Sequence, residues 1–275
     1  MPITTRDQMI DALANRTSTF LVDKASLGSQ AAGNHASLWT ATGLPCAGAA
    51  PGTAAVCTGA LAGAIPFSPP SGMGSWLASL SVASSISALS IELHDRLAHM
   101  GGLNLTLTTA QTVGVDVQTL GLPAARLGQA SLAELQWWYE VYSPGGSTAA
   151  NATFTVTFDD GSTGALSPLA VGGSLAAGRI FSLNTLRTAA QQNRRIRGVS
   201  SVTLSTSTGA AGNAGITVTR PLSAVFVPVA NAVQTADWAQ LGLPQVHADA
   251  CLALVMLATT SSTGTLRGGG KIVHG

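Results

Sequence analysis

The sequence predicts a mainly β protein: an antiparallel β-sandwich or jelly-roll-like body, preceded by a short N-terminal helix and a long Pro/Gly-rich extended arm, with one further helix late in the chain. Three observations carry this expectation. Apolar residues recur at every second position in successive segments from Leu89 to Val229. Gly, Pro, Asn and Asp interrupt those segments at short intervals. Helical spacing is confined to the first 15 residues and to a stretch near residue 190.

At the N-terminus, Thr4 or Thr5 can cap a helix over residues 5–15, with Gln8 three positions after Thr5 and Met9, Ile10 and Leu13 on one face. From Ser26 to Gly74 the chain is rich in Gly, Ala, Pro and Ser, including Pro45, Pro51, Pro66, Pro69 and Pro70, which remove backbone donors. A stretch this long without strong periodicity predicts an arm reaching over the body or over a neighbour. Residues 1–75 are thus expected to form helix and arm, and residues 76–275 a β-rich body.

Within that body, Leu89, Ile91 and Leu93, then Leu103, Leu105 and Leu107, then Val113, Val115 and Val117 read as strands. Leu135, Trp137, Tyr139 and Val141 face one side of the next strand, and Gln136, Trp138, Glu140 and Tyr142 the other, so this strand is predicted to be central. After the turn Pro144-Gly145-Gly146, Phe154, Val156 and Phe158 form its hairpin partner, closed by the turn Asp159-Asp160-Gly161-Ser162. Leu183, Leu186 and Ala190 predict the further helix over residues 182–197, stopped by Gly198. Strands resume at Val202 and Leu204, at Ile216 and Val218, at Val225 to Val229 and at Cys251 to Leu257, while Gly268-Gly269-Gly270-Lys271 reads as a flexible tail. Leu120-Gly121-Leu122-Pro123 and Leu241-Gly242-Leu243-Pro244 sit in similar surroundings, which suggests two related β units at about 76–180 and 181–275.

Charged residues make up 9% of the 275 residues, against about 25% in an ordinary soluble domain. A monomer with so few charges leaves much surface for neighbours to cover. Thirteen basic and twelve acidic residues give a net charge of +1, which provides no general attraction to nucleic acid or acidic membranes. The terminus Met1-Pro2-Ile3-Thr4-Thr5-Arg6-Asp7 lacks a signal-peptide pattern, and no apolar run approaches membrane-spanning length. Cys46, Cys57 and Cys251 have no zinc-like spacing and read as buried thiols.

Catalytic signatures are absent from the sequence. His94 and His99 flank Asp95 and Arg96, but they are five residues apart on an alternating segment, which sends the rings to opposite faces of a strand. They read as a hydrogen-bonded pair near a strand end, with Asp95 and Arg96 in a surface or turn contact. No Gly-x-Ser-x-Gly elbow, phosphate-binding loop or dinucleotide turn occurs. The chain is expected to be non-enzymatic, with no cofactor and no metal.

The expected interface residues are Trp39, Trp138, Tyr142, Arg187, Arg194, Arg195 and Arg197. The aromatic strand would put one row in the core and one in a contact. The arginines would share part of a helix face and serve a neighbouring subunit, nucleic acid or solvent.

The chain also resembles a group of tailed-bacteriophage virion proteins of the capsid-associated, decoration or cement kind. The resemblance lies in Ser29-Gln30-Ala31-Ala32-Gly33 leading to Ser37-Leu38-Trp39, in Asp95-Arg96-Leu97 with His99-Met100-Gly101-Gly102-Leu103, in Asp249-Ala250-Cys251-Leu252 and in Lys271-Ile272-Val273-His274-Gly275. It implies a β-rich subunit bound to a capsid shell and supplies no catalytic residue. The expected partners are a major capsid protein and copies of the chain itself as a dimer or trimer, within a virion assembled in host cytoplasm, without direct contact to nucleic acid or membrane. A tail or baseplate component is the alternative, and a glycan-binding receptor protein or hydrolase the alternative of another class.

Overall fold

The computed structural model describes residues 3–128 and 132–275, so Met1 and Pro2 of the terminal stretch read above lie outside the described residues. Helix α1 (Arg6–Asn15) opens the chain. Thr5 Oγ1 accepts the Gln8 N–H at 3.2 Å and Gln8 Oε1 accepts the Thr5 N–H at 3.1 Å, the capping box the sequence predicts. Met9 and Ala12 pack with Ala78 and Val273.

The next strands are β1 (Thr17–Lys24), β2 (His35–Ser37), β3 (Gly43–Leu44), β4 (Ala55–Val56), β5 (Ser75–Ser84), β6 (Leu89–Leu103) and β7 (Gln111–Asp116). They are followed by β8 (Gln136–Ser143), β9 (Asn151–Phe158), β10 (Thr163–Ala165), β11 (Leu169–Ala170), β12 (Arg179–Ser182), β13 (Ile196–Leu204) and β14 (Asn213–Val227). Last come β15 (Gln234–Asp237), the one-turn helix α2 (Trp238–Leu241), β16 (Leu252–Leu257) and β17 (Leu266–His274). The protein is mainly β and antiparallel, as the alternation requires.

The chain forms two compact units, and the second is inserted into the sequence of the first. Unit 1 comprises Met1–Gly48, Thr58–Asp95 and Pro221–Gly275; unit 2 comprises Ala49–Cys57 and Arg96–Arg220. This division replaces both the boundary at residue 75 and the tandem units expected from the repeated Leu-Gly-Leu-Pro. The supposed arm belongs to the units themselves. Phe20 and Val22 of β1 alternate into a core, and Ala36, Leu38, Trp39 and Ile65 are at most 1% exposed, so these side chains pack within the chain rather than on a neighbour.

Unit 1 contains a five-stranded sheet in the order β15-β5-β17-β1-β3. Its inner residues Phe20, Val22, Leu77, Leu80, Val82 and Ile272 pack with Ile91 and Leu93 of β6 and with Leu252, Leu254 and Met256 of β16. The glycines expected in a flexible tail lie on β17, a central strand paired on both sides, with Gly269 opposite Leu21 and opposite Ser81. A Cβ at Gly268 would stand 2.1 Å from the Ser81 carbonyl oxygen, and one at Gly269 2.4 Å from that of Phe20. Glycine is what lets β17 fit between its neighbours at this spacing.

Unit 2 contains the sheet β10-β9-β13-β7, with β11 also on β9. Phe154, Val156 and Phe158 face a core shared with Val113, Val115, Val199 and Val202, and with Trp137, Tyr139 and Val141 of β8. Strand β8 is central as predicted, lying between β14 and β12. Its expected hairpin with β9 does not form: β9 pairs with β13 and β10 in the other sheet. Both strands are apolar enough to sit inside a layer, and the seven residues 144–150 between them let the chain change layers. The Asp159-Asp160-Gly161-Ser162 turn does close a hairpin, between β9 and β10, with Gly161 at φ 84°.

Two further stretches depart from the expected elements. Residues 104–107 form a turn rather than a strand, because Asn104 Oδ1 accepts the Thr106 N–H at 2.9 Å and Gln111 clasps the Asn104 backbone from both sides. Residues 182–197 form two 3-10 turns, Leu183–Leu186 and Ala189–Gln191, and then enter β13. Arg187 and Thr188 between the turns are extended. The Arg187 guanidinium donates to the carbonyls of Asn184, Gln192 and Arg194, which fixes this folded-back path in place of a helix.

The Tyr139 ring packs edge-on to Phe154 at 5.7 Å, and its hydroxyl is buried with no hydrogen-bond partner among the described residues. Burial pushes the phenol well above its ordinary range. Tyr139→Phe should therefore leave stability unchanged or raise it by about 1 kcal/mol, measured by chemical denaturation.

Candidate functional site

A charged group sits on the face of β8 turned away from the unit 2 core. Arg96 from β6 donates through Nη2 to Glu140 Oε2 at 2.7 Å, to Tyr142 Oη at 2.7 Å and to Thr217 Oγ1 of β14 at 2.9 Å. Its Nε donates to His99 Nδ1 at 3.2 Å. Arg96 is 2% exposed and Glu140 0%. Burial pulls the guanidinium pKa down, but the Glu140 carboxylate beside it more than compensates, holding Arg96 above the ordinary arginine value. The Tyr142 phenol is raised, first by burial and then by Glu140. The Arg96, Glu140, Tyr142 and Thr217 side chains bond one another and so tie three strands together.

The histidines of the supposed pair have different partners. His94 Nε2 lies 2.8 Å from Glu92 Oε2, with His35 3.8 Å from the other oxygen of that carboxylate. His99 serves Arg96. Asp95 is fully buried and accepts the Cys251 N–H at 3.0 Å, so Asp95 and Arg96 are neither a surface contact nor a turn. Among the described residues no group of three or more His, Cys, Asp or Glu side chains is placed to hold a metal ion.

Most of the expected interface residues are occupied internally. Trp39 is 1% exposed and Trp138 3%, and the Trp138 indole donates to Thr219 Oγ1 at 2.9 Å, so neither ring offers surface to a partner. Tyr142 is half-buried in the Arg96 knot. Arg187 is spent on backbone carbonyls, Arg194 pairs with Asp160 at 2.8 Å and Arg197 with Asp116 at 3.0 Å. Arg195 is half-buried beside Asp159, which accepts its backbone N–H. Once the helix is gone, the arginines no longer share a face, and carboxylates stand among them.

The exposed apolar surface gathers instead on unit 1. Ile10, Leu21, Leu44, Leu61, Met73, Phe226, Val229, Val233 and Trp238 are each at least 37% exposed, against Leu107 alone in unit 2 among the described residues. Leu21 and Val233, both 67% exposed, border a mostly apolar trough of about 480 Å³ on the outer face of the five-stranded sheet. Its floor is Gly268, Gly269 and Gly270, with Ser79, Ser81 and Ala83 of β5 to one side. Alternation in β1 and β5 was legible, but the trough depends on β17 being a central strand, which a tail reading hides.

Sequence reasoning also missed Lys24, which is 2% exposed. Its ammonium donates to the carbonyls of Ala41 at 3.0 Å and Pro45 at 2.7 Å, with Cys46 O at 3.4 Å. It thereby clamps the irregular segment after β2 onto β1. Of the three thiols, Cys57 and Cys251 are buried as expected, but Cys46 is exposed beside this clamp. Burial pushes the Lys24 pKa down to about 8, against a smaller upward effect of Cys46. Between about 8 and 10.5 the unfolded chain therefore holds the extra proton, so this group should make stability rise with pH over that window. Urea midpoints measured across it should climb, and Lys24→Met should flatten the climb.

No family model matches the chain, and no curated protein matches it. Solved structures of infectious bursal disease virus are similar at a low level. The Gt strain structure is 12% identical over 94% of this chain and 80% of that chain, with a TM-score of 0.18. The VP2 subviral particle gives 12%, the same coverage and 0.17; the Gx strain gives 13%, 94% and 81%, and 0.19. Similarity of this size carries no weight for fold or function.

Proposed function

We propose that this chain is a non-catalytic structural subunit of a virion, and more narrowly a decoration or cement protein on the capsid of a tailed bacteriophage. One observation carries the reading: a chain with 9% charged residues places nearly all of its exposed large apolar side chains on unit 1. Apolar surface collected in this way is a liability in a lone monomer and an asset where a neighbour covers it. The partners in this reading are a major capsid protein and further copies of the chain. The resemblance in Asp95-Arg96-Leu97 and the neighbouring segments supports the narrower placement.

The test is reconstitution. Purified protein mixed with phage shells stripped of their minor proteins should sediment with the shells and raise their melting temperature. Protein that stays in the supernatant, or binds without changing shell stability, contradicts the cement role. Sedimentation with isolated tails instead assigns it to the tail.

A further inference from the structure

We propose that the trough on β17 of unit 1 binds an extended peptide segment of a partner protein, with the pattern acidic, any, apolar, any, acidic. The proposal deepens the assembly reading and rests on it for where the segment comes from.

Charge selects the chemistry. Arg267 and Lys271 line the trough and no carboxylate does. Arg267 is 75% exposed and meets Asp23, itself 57% exposed, through a loose 3.3 Å contact, while Lys271 forms no ion pair among the described residues. The trough therefore presents two cations, one at either end of an apolar floor.

Register selects the spacing. Arg267, Gly269 and Lys271 alternate on one strand, so the three positions share a face. The two cations are separated by four residues, about 13 Å along the strand. An extended segment running along β17 has the same period. A carboxylate at one position meets one cation, the side chain two further on stands over Gly269 against the Leu21 side chain, and a carboxylate four further on meets the other cation. Either chain direction satisfies this match.

The same charges oppose a second copy of the sheet stacked in register on β17. A two-fold axis centred on β17 and lying along the strand stacks each cation on its own copy. An axis lying across the strand stacks Lys271 on Arg267. Both arrangements oppose like charges. The trough is also open along its length, unlike the enclosed cavity an acyl chain needs.

The probe is a fluorescein-labelled, end-blocked peptide containing Asp-Thr-Val-Thr-Asp, titrated with the full chain and followed by anisotropy. It should bind saturably, about tenfold more tightly than the Lys-Thr-Val-Thr-Lys peptide and than Asp-Thr-Val-Asp-Thr, whose carboxylates point to opposite faces. Added salt should narrow the difference. The double variant R267E/K271E, altered only at exposed side chains, should invert the preference between the acidic and basic peptides. Equal binding of all three peptides, or an unchanged preference in the double variant, overturns the proposal. So does pelleting of the protein with phosphatidylglycerol vesicles that the acidic peptide does not reduce. Peptide binding without shell binding sinks the assembly reading and leaves this one standing, and the reverse result does the opposite.

Discussion

Replacing Arg96 by methionine should destabilise unit 2 by about 3–5 kcal/mol, because it leaves the Glu140 carboxylate buried without its cation. Arg96 Nη2 donates to Glu140, Tyr142 and Thr217, so one substitution removes the cation shared by three side chains on β8 and β14. The double variant Arg96→Met with Glu140→Leu should recover much of that loss, since an apolar pair in a buried site has no charge to desolvate. Chemical denaturation of the two single variants and the double completes a thermodynamic cycle with a large favourable coupling. Additive losses would mean that the two charges are solvated separately and that the knot does not hold the strands.

Trp39→Ala should cost unit 1 about 3–5 kcal/mol, the ordinary penalty for removing a large buried aromatic side chain. The ring is enclosed by backbone as well as by side chains: a Cβ at Gly48 would stand 2.2 Å from its Cε2, and one at Gly63 3.2 Å from its Cε3. That enclosure cannot collapse readily around an alanine, which places the effect near the upper end of the range. An interface role for Trp39 makes the opposite forecast, an unchanged melting temperature with lost association. Calorimetry and sedimentation on the same variant therefore separate the two roles.

Local rules were legible in the sequence and long-range pairing was not. Thr5 and Gln8 announce the α1 cap, and alternating threonines with Phe154, Val156 and Phe158 announce β9, because each signal lies within a few residues. The partner of β9 is 40 or so residues away on β13, and no property of either strand names it. Discontinuous units are opaque for the same reason. The chain leaves unit 1 after Asp95 and returns at Pro221, in the interiors of β6 and β14, where no turn or loop marks the change.

The candidate sites show a similar division. Glu140 among Trp137, Trp138, Tyr139 and Val141 is a lone charge in an apolar strand, and a buried charge demands a partner, whereas Arg96 stands beside Asp95, a nearer apparent partner. That signal was available, although the pairing of one with the other was not. The arginines of residues 187–197 misled because their spacing suits a helix, whereas Arg187 binds backbone carbonyls that a helix would have used itself. Gly268-Gly269-Gly270 misled because glycine marks flexibility in isolation and close packing between two strands.

On the proposed assembly reading the chain is a repeated subunit, its exposed apolar surface covered by neighbours. Light scattering on the purified protein over a wide concentration range tests it most directly. The protein should form a discrete dimer or trimer that gives way to monomer only on dilution or on introducing a charge at Phe226 or Val229 of unit 1. A monomer at every concentration, unchanged by those substitutions, would contradict it.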